Sequence, residues 1–210
     1  MVVNKHGSFY MRSGWGTKII QAVEQDAMIF TPISEQEAID NIGLGRVMIK
    51  ALRYWSDAMG LTHEEKEQGG IRLVPEPIYY SILNHDLYFQ RLGSLLLLHR
   101  NLALNEENAT AWYWLFNEWK QNVFTKDAFV DGFHSFLSVN GMKVKKTAVD
   151  KEFNCLKNTY IGEGKFDKNS IMDEDTYPFL APLQILKETG KNTYEKRSLT
   201  GKEVPLEILI

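Results

Sequence analysis

The stretch "IGLGRVMIKALRYW", residues 42–55, predicts a helix with two different faces. Arg46, Lys50 and Arg53 are spaced at i, i+4 and i+7, which places three cations on one face of an α-helix. A second face carries the apolar residues Met48, Leu52, Trp55 and Met59. The pattern predicts an amphipathic helix, and it fits both an ordinary packed helix and the second helix of a helix-turn-helix held against DNA.

The residues on either side of this helix favour the helix-turn-helix interpretation. Ser34 with Glu37 has the spacing of a capping box, which predicts a short preceding helix. The "GLG" of residues 43–45 then predicts a tight turn, in which glycine adopts positive φ angles at little cost. After the long helix, a polar loop and the run "IRLVPEP" predict a β-hairpin within residues 62–78. This order of elements is that of a winged helix-turn-helix.

The rest of the chain is predicted to be helical. Helix is expected throughout residues 78–160, including "LLLLHRNLAL" and the aromatic-rich "TAWYWLFNEW". The predicted fold class is therefore mainly α, with a winged helix-turn-helix-like N-terminal part joined to a helical bundle. We expect a winged-helix-like domain over residues 1–85, a helical domain over 86–190 and the start of a further element over 191–210. Because the final "EVPLEILI" is apolar, whereas C-termini are usually polar, we also expect a truncated chain.

The bulky apolar residues of these helices predict the hydrophobic core. They lie on apolar faces or in apolar runs that offer no polar alternative. The side chains expected to be largely buried are Trp15, Trp55, Leu96, Leu97, Trp112 and Phe116. If most of them were exposed instead, the aromatic helices would be an interface for a partner protein.

Composition excludes several classes of protein. The 210 residues are 44% hydrophobic, as in ordinary globular proteins, and the net charge of −3 gives no overall basic signature. A nucleic-acid-binding surface must therefore be local. The single cysteine, Cys155, excludes an internal disulfide and suits a reducing cytoplasm. The sequence contains no secretory signal pattern and no apolar stretch long enough for a bilayer, so we expect a cytoplasmic protein without membrane contact.

Several blocks of the sequence, in order, resemble a bacterial family, the domain of unknown function 4007. The resemblance covers residues 5–187 and includes "IGLGRVMIKALRYW", "LLLLHRNLAL", "TAWYWLFNEW" and "YPFLAPLQIL". The first block, "HGSFYMRSGW", matches the family at His6, Ser8, Phe9, Arg12, Gly14 and Trp15. Two positions depart from the family pattern, because Gly7 stands where many members carry Glu and Ala111 where many carry Thr.

The resemblance implies a function in DNA phosphorothioation and phage defence. Genes of this family often lie beside sulfurtransferase-like genes in such clusters, and one branch is the nickase subunit of the Ssp-type phosphorothioation system. The implied partners are duplex DNA and other phosphorothioation-system proteins. The implied activity is binding of duplex DNA, with nicking before sulfur incorporation.

The candidate DNA-binding residues form two groups. Arg46, Lys50 and Arg53 can contact phosphates or guanine edges in a major groove, although a solvated polar face explains them as well. Residues 45–59 have a net charge of +2, whereas the loop 62–72 has −1, which is unfavourable for a wing that must approach phosphate. The second group lies in the basic run "KVKK" and consists of Lys143, Lys145 and Lys146. This group is either the solvent-exposed N-terminus of a helix or a second patch that contacts phosphate.

The candidate catalytic residues are His6, Arg12, His99 and Asn117. His6 and Arg12 can form an anion or phosphodiester site, because histidine titrates near neutrality and acts as a general acid or base. The alternative is an N-terminal segment that its aromatic residues tie to the core. His99 lies in an apolar helix, where a lone histidine is more often a hydrogen-bonded core residue, and it can pair with Asn117 across two helices.

No cofactor is evident in the sequence. One cysteine and scattered histidines give no zinc pattern, and no glycine-rich loop for a nucleotide is present. A nickase usually activates water with carboxylates on Mg²⁺. The acidic cluster at Asp173, Glu174 and Asp175 offers carboxylates, although acidic runs in polar loops are usually just solvated. We therefore predict no metal site, with Mg²⁺ as the expected ion if the protein is a nickase.

Two functions stay open on these observations. The first is a DNA-binding component of a phosphorothioation or related anti-phage system, with DNA nicking implied by the resemblance alone. The second is a non-catalytic assembly subunit that docks a sulfurtransferase or ATPase partner through its winged helix and aromatic helices. The sequence predicts neither the oligomeric state nor the DNA sequence that is recognised.

Overall fold

Helices form most of the chain in the computed structural model, which describes residues 1–162, 176–200 and 203–204. The mainly α fold class is therefore confirmed. The helices are α1 (Trp15–Gln25), α2 (Glu35–Ile42), α3 (Arg46–Ala58), α4 (Pro77–His85), α5 (Leu92–Leu104), α6 (Thr110–Tyr113), α7 (Lys126–Val139) and α8 (Lys146–Tyr160). A π-helical turn over Trp114–Glu118 follows α6 directly.

Two small antiparallel sheets accompany the helices. The strands are β1 (Thr62–Glu67), β2 (Gly70–Pro75), β3 (Val123–Thr125), β4 (Leu186–Gly190) and β5 (Thr193–Lys196). β1 and β2 form the hairpin predicted within residues 62–78. The second sheet has the order β3–β5–β4. The prediction of uninterrupted helix over residues 78–160 is therefore wrong at β3, because this strand gains its partner from the distant C-terminal part of the chain.

The segment from α2 to β2 follows the predicted order of helix, turn, helix and hairpin. Gly43 ends α2 with a left-handed φ of 72°, as predicted, whereas Gly45 is extended with a φ of −67°. The predicted capping box is wrong, because the Ser34 side chain makes no cap bond to α2. Ser34 is the last residue of a 3-10 turn, and its φ of −93° and ψ of 10° lie outside the extended region that an N-cap needs.

The core prediction is confirmed for four side chains and only partly for two. Trp15, Trp55, Leu96 and Trp112 are buried, whereas Leu97 and Phe116 are partly exposed. One cluster of buried side chains includes residues on both sides of residue 85. The aromatic helices therefore face inward, and the division into domains stays a prediction.

Helix α5 is the apolar central helix that the leucine run predicted. Leu95, Leu98 and Leu102 are buried, and α5 packs against α6 and the turn that follows it. Within the residues that the structure describes, no helix is both long enough and apolar enough to cross a membrane.

Candidate nucleic-acid interface

Three cations line the solvent-facing side of α3. The opposite side is enclosed, with Leu52 and Trp55 fully buried, so Arg46, Lys50 and Arg53 point outward. Their side chains are 65%, 69% and 25% exposed, respectively. The residues predicted to contact DNA thus share one face, as a helix that enters a groove requires, and Arg53 is the least accessible of them.

A carboxylate in the first turn of α2 holds the first two cations. Glu35 Oε2 lies 2.8 Å from Arg46 Nε, and Glu35 Oε1 lies 3.3 Å from Lys50 Nζ. Exposed ion pairs contribute only about 0–1 kcal/mol, so both cations can exchange this carboxylate for a phosphate oxygen. The sequence does show that the first turn of α2 is acidic. It does not show that the chain reversal at Gly43 places this turn beside the start of α3.

Arg53 is bound more firmly, and its partner is in the hairpin. Arg53 Nε and Nη2 donate to the two carboxylate oxygens of Glu64 at 2.6 and 2.7 Å. This two-bond geometry is the stronger form of the arginine–carboxylate pair. Arg53 therefore fastens α3 to β1, a role that its spacing in the sequence did not indicate.

An acidic cleft of about 370 Å³ lies at the root of the hairpin. Asp57, His63 and Glu76 line it. His63 Nδ1 lies 2.6 Å from a Glu76 carboxylate oxygen and Nε2 lies 3.4 Å from Glu65, and these bonds raise the pKa of His63. Burial and the charge of Glu64 raise the pKa of Asp57. Because carboxylates dominate, the cleft attracts cations and repels phosphate.

The second predicted patch lies at the start of α8. Lys143, Lys145 and Lys146 are all exposed. Lys146 Nζ lies 2.6 Å from Asp131 of α7, whereas Lys143 and Lys145 have no ion-pair partner within the described part of the chain. Two uncompensated lysines next to a helix N-terminus are accessible to phosphate, so this patch is the alternative interface.

His6 is fully buried, in contact with a residue of α8. Its Nε2 lies 3.1 Å from Glu152 Oε2, and the Ser8 amide donates to its Nδ1 at 3.0 Å. Since Nδ1 accepts, Nε2 carries the ring proton and donates it to Glu152. The Asn4 amide donates to the same oxygen, and aromatic rings of α3 and α6 surround the imidazole. This geometry favours the structural interpretation, in which His6 ties the N-terminal segment to α8.

Arg12 lies against aromatic rings of the same N-terminal segment. Its guanidinium carbon is 5.0 Å from the ring centroid of Tyr10 and 5.5 Å from that of Trp15. These distances are within the range of cation–π contacts. Its backbone also pairs with Pro178 in an isolated antiparallel bridge. Arg12 thus joins two distant parts of the chain.

His99 and Asn117 have separate partners. His99 Nδ1 lies 2.9 Å from the hydroxyl of the buried Tyr160, and burial lowers the pKa of His99 to about 4. Asn117 Nδ2 instead donates to the carbonyls of Ala103 and Tyr113, at the ends of α5 and α6. The arrangement of His99 favours its core interpretation, whereas Asn117 is exposed and its amide joins the ends of α5 and α6.

A metal-binding cluster is absent from the part of the chain that the structure describes. Those residues contain no group of three or more His, Cys, Asp or Glu side chains that could hold an ion. The acidic cluster at Asp173, Glu174 and Asp175 lies outside the described residues.

Comparisons with known proteins identify a family and a fold. The profile of the family described as "Protein of unknown function (DUF4007)" matches residues 3–210. Two solved structures, of SspB and of magnesium ion-bound SspB, each match with a TM-score of 0.81 at 22% sequence identity. Each match covers 99% of this chain, which spans only 63% of the SspB chain. No curated protein matches the sequence.

Proposed function

The chain belongs to the DUF4007 family, and we propose that it is the DNA-binding component of a bacterial DNA phosphorothioation or related anti-phage defence system. Family membership and the fold that it shares with SspB support the system. The observation that carries DNA binding is the exposed pair Arg46 and Lys50 on α3, directly after the break between two helices. The proposal includes a cytoplasmic location, with duplex DNA and other phosphorothioation-system proteins as partners.

In this proposal residues 1–85 act as a winged-helix-like module. The first half of α3 enters the major groove, as the recognition helix of such modules does, and α2 crosses the backbone. Arg46 and Lys50 leave Glu35 as phosphate approaches, while Arg53 stays on Glu64. The exposed face of the hairpin is mainly acidic, so it turns away from the DNA.

The double variant Arg46→Ala/Lys50→Ala should bind duplex DNA more weakly and with a flatter salt dependence. Each phosphate contact contributes about −0.9 to the slope of log K against log salt concentration, so the slope should become shallower by about 2. Fluorescence anisotropy of a labelled duplex over a salt series measures both quantities. Lys187→Ala/Lys191→Ala is the matched control, because it also removes two exposed positive charges, and it should change neither.

An unchanged slope in that double variant would contradict DNA contact by α3. The pair Lys143→Ala/Lys145→Ala then becomes informative, because these lysines are exposed and lack ion-pair partners within the described residues. A slope that flattens only in this second pair would move the interface to the start of α8.

Glu35→Gln should strengthen DNA binding. The amide removes the carboxylate that competes with phosphate for Arg46 and Lys50, and an exposed pair of this kind corresponds to at most about a fivefold change in affinity. Glu37→Gln removes an equal charge from an exposed position of the same helix, so it is the matched control. If both variants gain affinity equally, the gain reflects net charge and the specific competition by Glu35 is disproved.

A role as an assembly subunit that docks a sulfurtransferase or ATPase partner is the second candidate. The aromatic helices do not support it, because Trp112 and Trp114 are buried and offer no hot spot to a partner. The hairpin does support it, since its exposed acidic side chains suit a basic protein surface better than DNA.

DNA nicking, which the resemblance implies, stays a prediction. One of the similar structures is that of magnesium ion-bound SspB. The described residues of this chain contain no group of three or more His, Cys, Asp or Glu side chains that could hold an ion. A supercoiled-plasmid nicking assay with and without Mg²⁺ tests the activity directly.

A further inference from the structure

The two outer edges of the β1–β2 hairpin can be assigned from its register. The Leu73 amide donates outward to the carbonyl of Ala27 at 2.9 Å, away from β1. In an antiparallel ladder the residue directly opposite then also points its amide and carbonyl outward. Glu64 is that residue, and Lys66, two positions on, has the same orientation. Pro75 fits this assignment, because a proline belongs where no ladder amide is needed.

The edge of β2 is covered, whereas the edge of β1 is open. The Leu73 bond to Ala27 covers one part of the β2 edge. Gly70, also in β2, lies so close to Thr31 that a Cβ added to Gly70 would be 2.5 Å from the Cγ2 atom of Thr31. On the other side, the outward amides of Glu64 and Lys66 have no hydrogen-bond partner within the described ranges. The structure therefore presents one unpaired strand edge in this hairpin.

The open edge is acidic. Glu64, Glu65 and Glu67 are exposed along β1. Arg53 holds Glu64, whereas Glu65 and Glu67 have only exposed partners among the described residues, His63 at 3.4 Å and Arg72 at 3.8 Å. Asp57 and Glu76 continue the negative charge into the cleft at the root of the hairpin. Burial and Glu64 raise the pKa of Asp57, so a positive charge nearby would be favourable. This edge is therefore complementary to a basic chain.

We propose that the outer edge of β1 docks an extended, basic segment of a partner protein as a third strand of the hairpin. The outward amides and carbonyls of Glu64 and Lys66 supply main-chain hydrogen bonds. Glu65 and Glu67, whose exposed ion pairs are weak enough to exchange, select lysine or arginine side chains. This inference goes beyond the proposed function, because it assigns the hairpin to a protein and leaves α3 to DNA. The alternative is that the charges only protect an exposed edge from unwanted pairing.

The test compares two synthetic peptides of equal charge. The first is a capped peptide of alternating lysine and threonine, and in the second every other backbone amide is N-methylated. The first peptide should bind, with amide chemical-shift changes concentrated in residues 62–67. The N-methylated peptide cannot form the ladder, so its affinity should be about tenfold lower. Equal binding of the two peptides, or no binding of either, would overturn the proposal in favour of edge protection.

Lys66→Pro removes one outward amide while leaving the bonds to β2 in place. It should lower peptide affinity about tenfold, although the loss of a lysine would by itself favour a cationic peptide. Its cross-strand partner supplies the matched control, because Ile71→Pro removes an outward amide from the covered edge and should leave peptide affinity unchanged. Circular dichroism melting checks folding, and if Lys66→Pro unfolds, the comparison of the two peptides on the unaltered protein decides.

Duplex binding, measured by anisotropy for the same variants, separates this inference from the proposed function. Lys66→Pro should leave DNA affinity unchanged if α3 alone contacts DNA. Loss of peptide binding with intact DNA binding supports the edge assignment. A protein that binds the peptide and not DNA contradicts the proposed function and leaves the edge assignment standing.

Discussion

His6→Ala should lower the free energy of unfolding by about 3–5 kcal/mol, because a buried carboxylate loses a hydrogen-bond donor and the core loses a packed ring. The imidazole has no exposed surface, and it donates to Glu152, which is 1% exposed. Its removal leaves the carboxylate with the Asn4 amide as its only donor among the described residues, and it opens a gap between aromatic rings. Because whole domains are stable by about 5–15 kcal/mol, this loss is a large fraction of the total stability.

Urea denaturation followed by circular dichroism measures this loss. Glu152→Gln is the companion variant, because its amide oxygen still accepts from His6 and Asn4, so it should lose less stability than His6→Ala. His85→Ala, at the exposed end of α4, is the control for replacing any histidine. A loss below about 1 kcal/mol for His6→Ala would show that the pair does not hold the N-terminal segment to α8.

Short-range features of this chain were predictable, because a few neighbouring residues determine them. The face of α3 follows from the spacing of Arg46, Lys50 and Arg53, and the break before it follows from one glycine that accepts a left-handed φ. The partners of these side chains were not predictable in the same way. His6 bonds to a residue 146 positions away, and no local pattern marks Glu152 as its acceptor.

Two local predictions failed where another interaction determined the conformation. Ser34 has the residue type and spacing of a cap, but the 3-10 turn that begins at Pro32 fixes its backbone in a conformation unsuited to capping. Val123–Thr125 consists of residues that favour strands, but three residues are too few for an alternation pattern, and the segment becomes a strand because β5 pairs with it. In the candidate interface, the missing information was likewise the pairing of Arg53 with Glu64, which joins helix to hairpin.

The second large effect is a loss of stability in acid that depends on His99. In the unfolded chain a histidine binds a proton below about pH 6.5, whereas burial lowers the pKa of His99 in the folded protein to about 4. Between these values the unfolded state holds more protons, so the free energy of unfolding falls as the pH falls. The contribution of neutral His99 is complete above pH 6.5, and about 2 kcal/mol of it should be lost at pH 5.

His99→Asn removes the titrating ring while its side-chain oxygen can still accept from Tyr160. The variant should be less stable at pH 7.5, because packing against Phe116 is lost. The further drop between pH 7.5 and pH 5 should be about 2 kcal/mol smaller than in the unaltered protein. His63 and Asp57 act in the opposite direction, since their raised pKa values favour the folded state in acid, and they contribute equally to both proteins. The comparison of the two proteins therefore isolates the contribution of His99. An NMR titration of the His99 ring with a midpoint near pH 6.5 would disprove the lowered pKa.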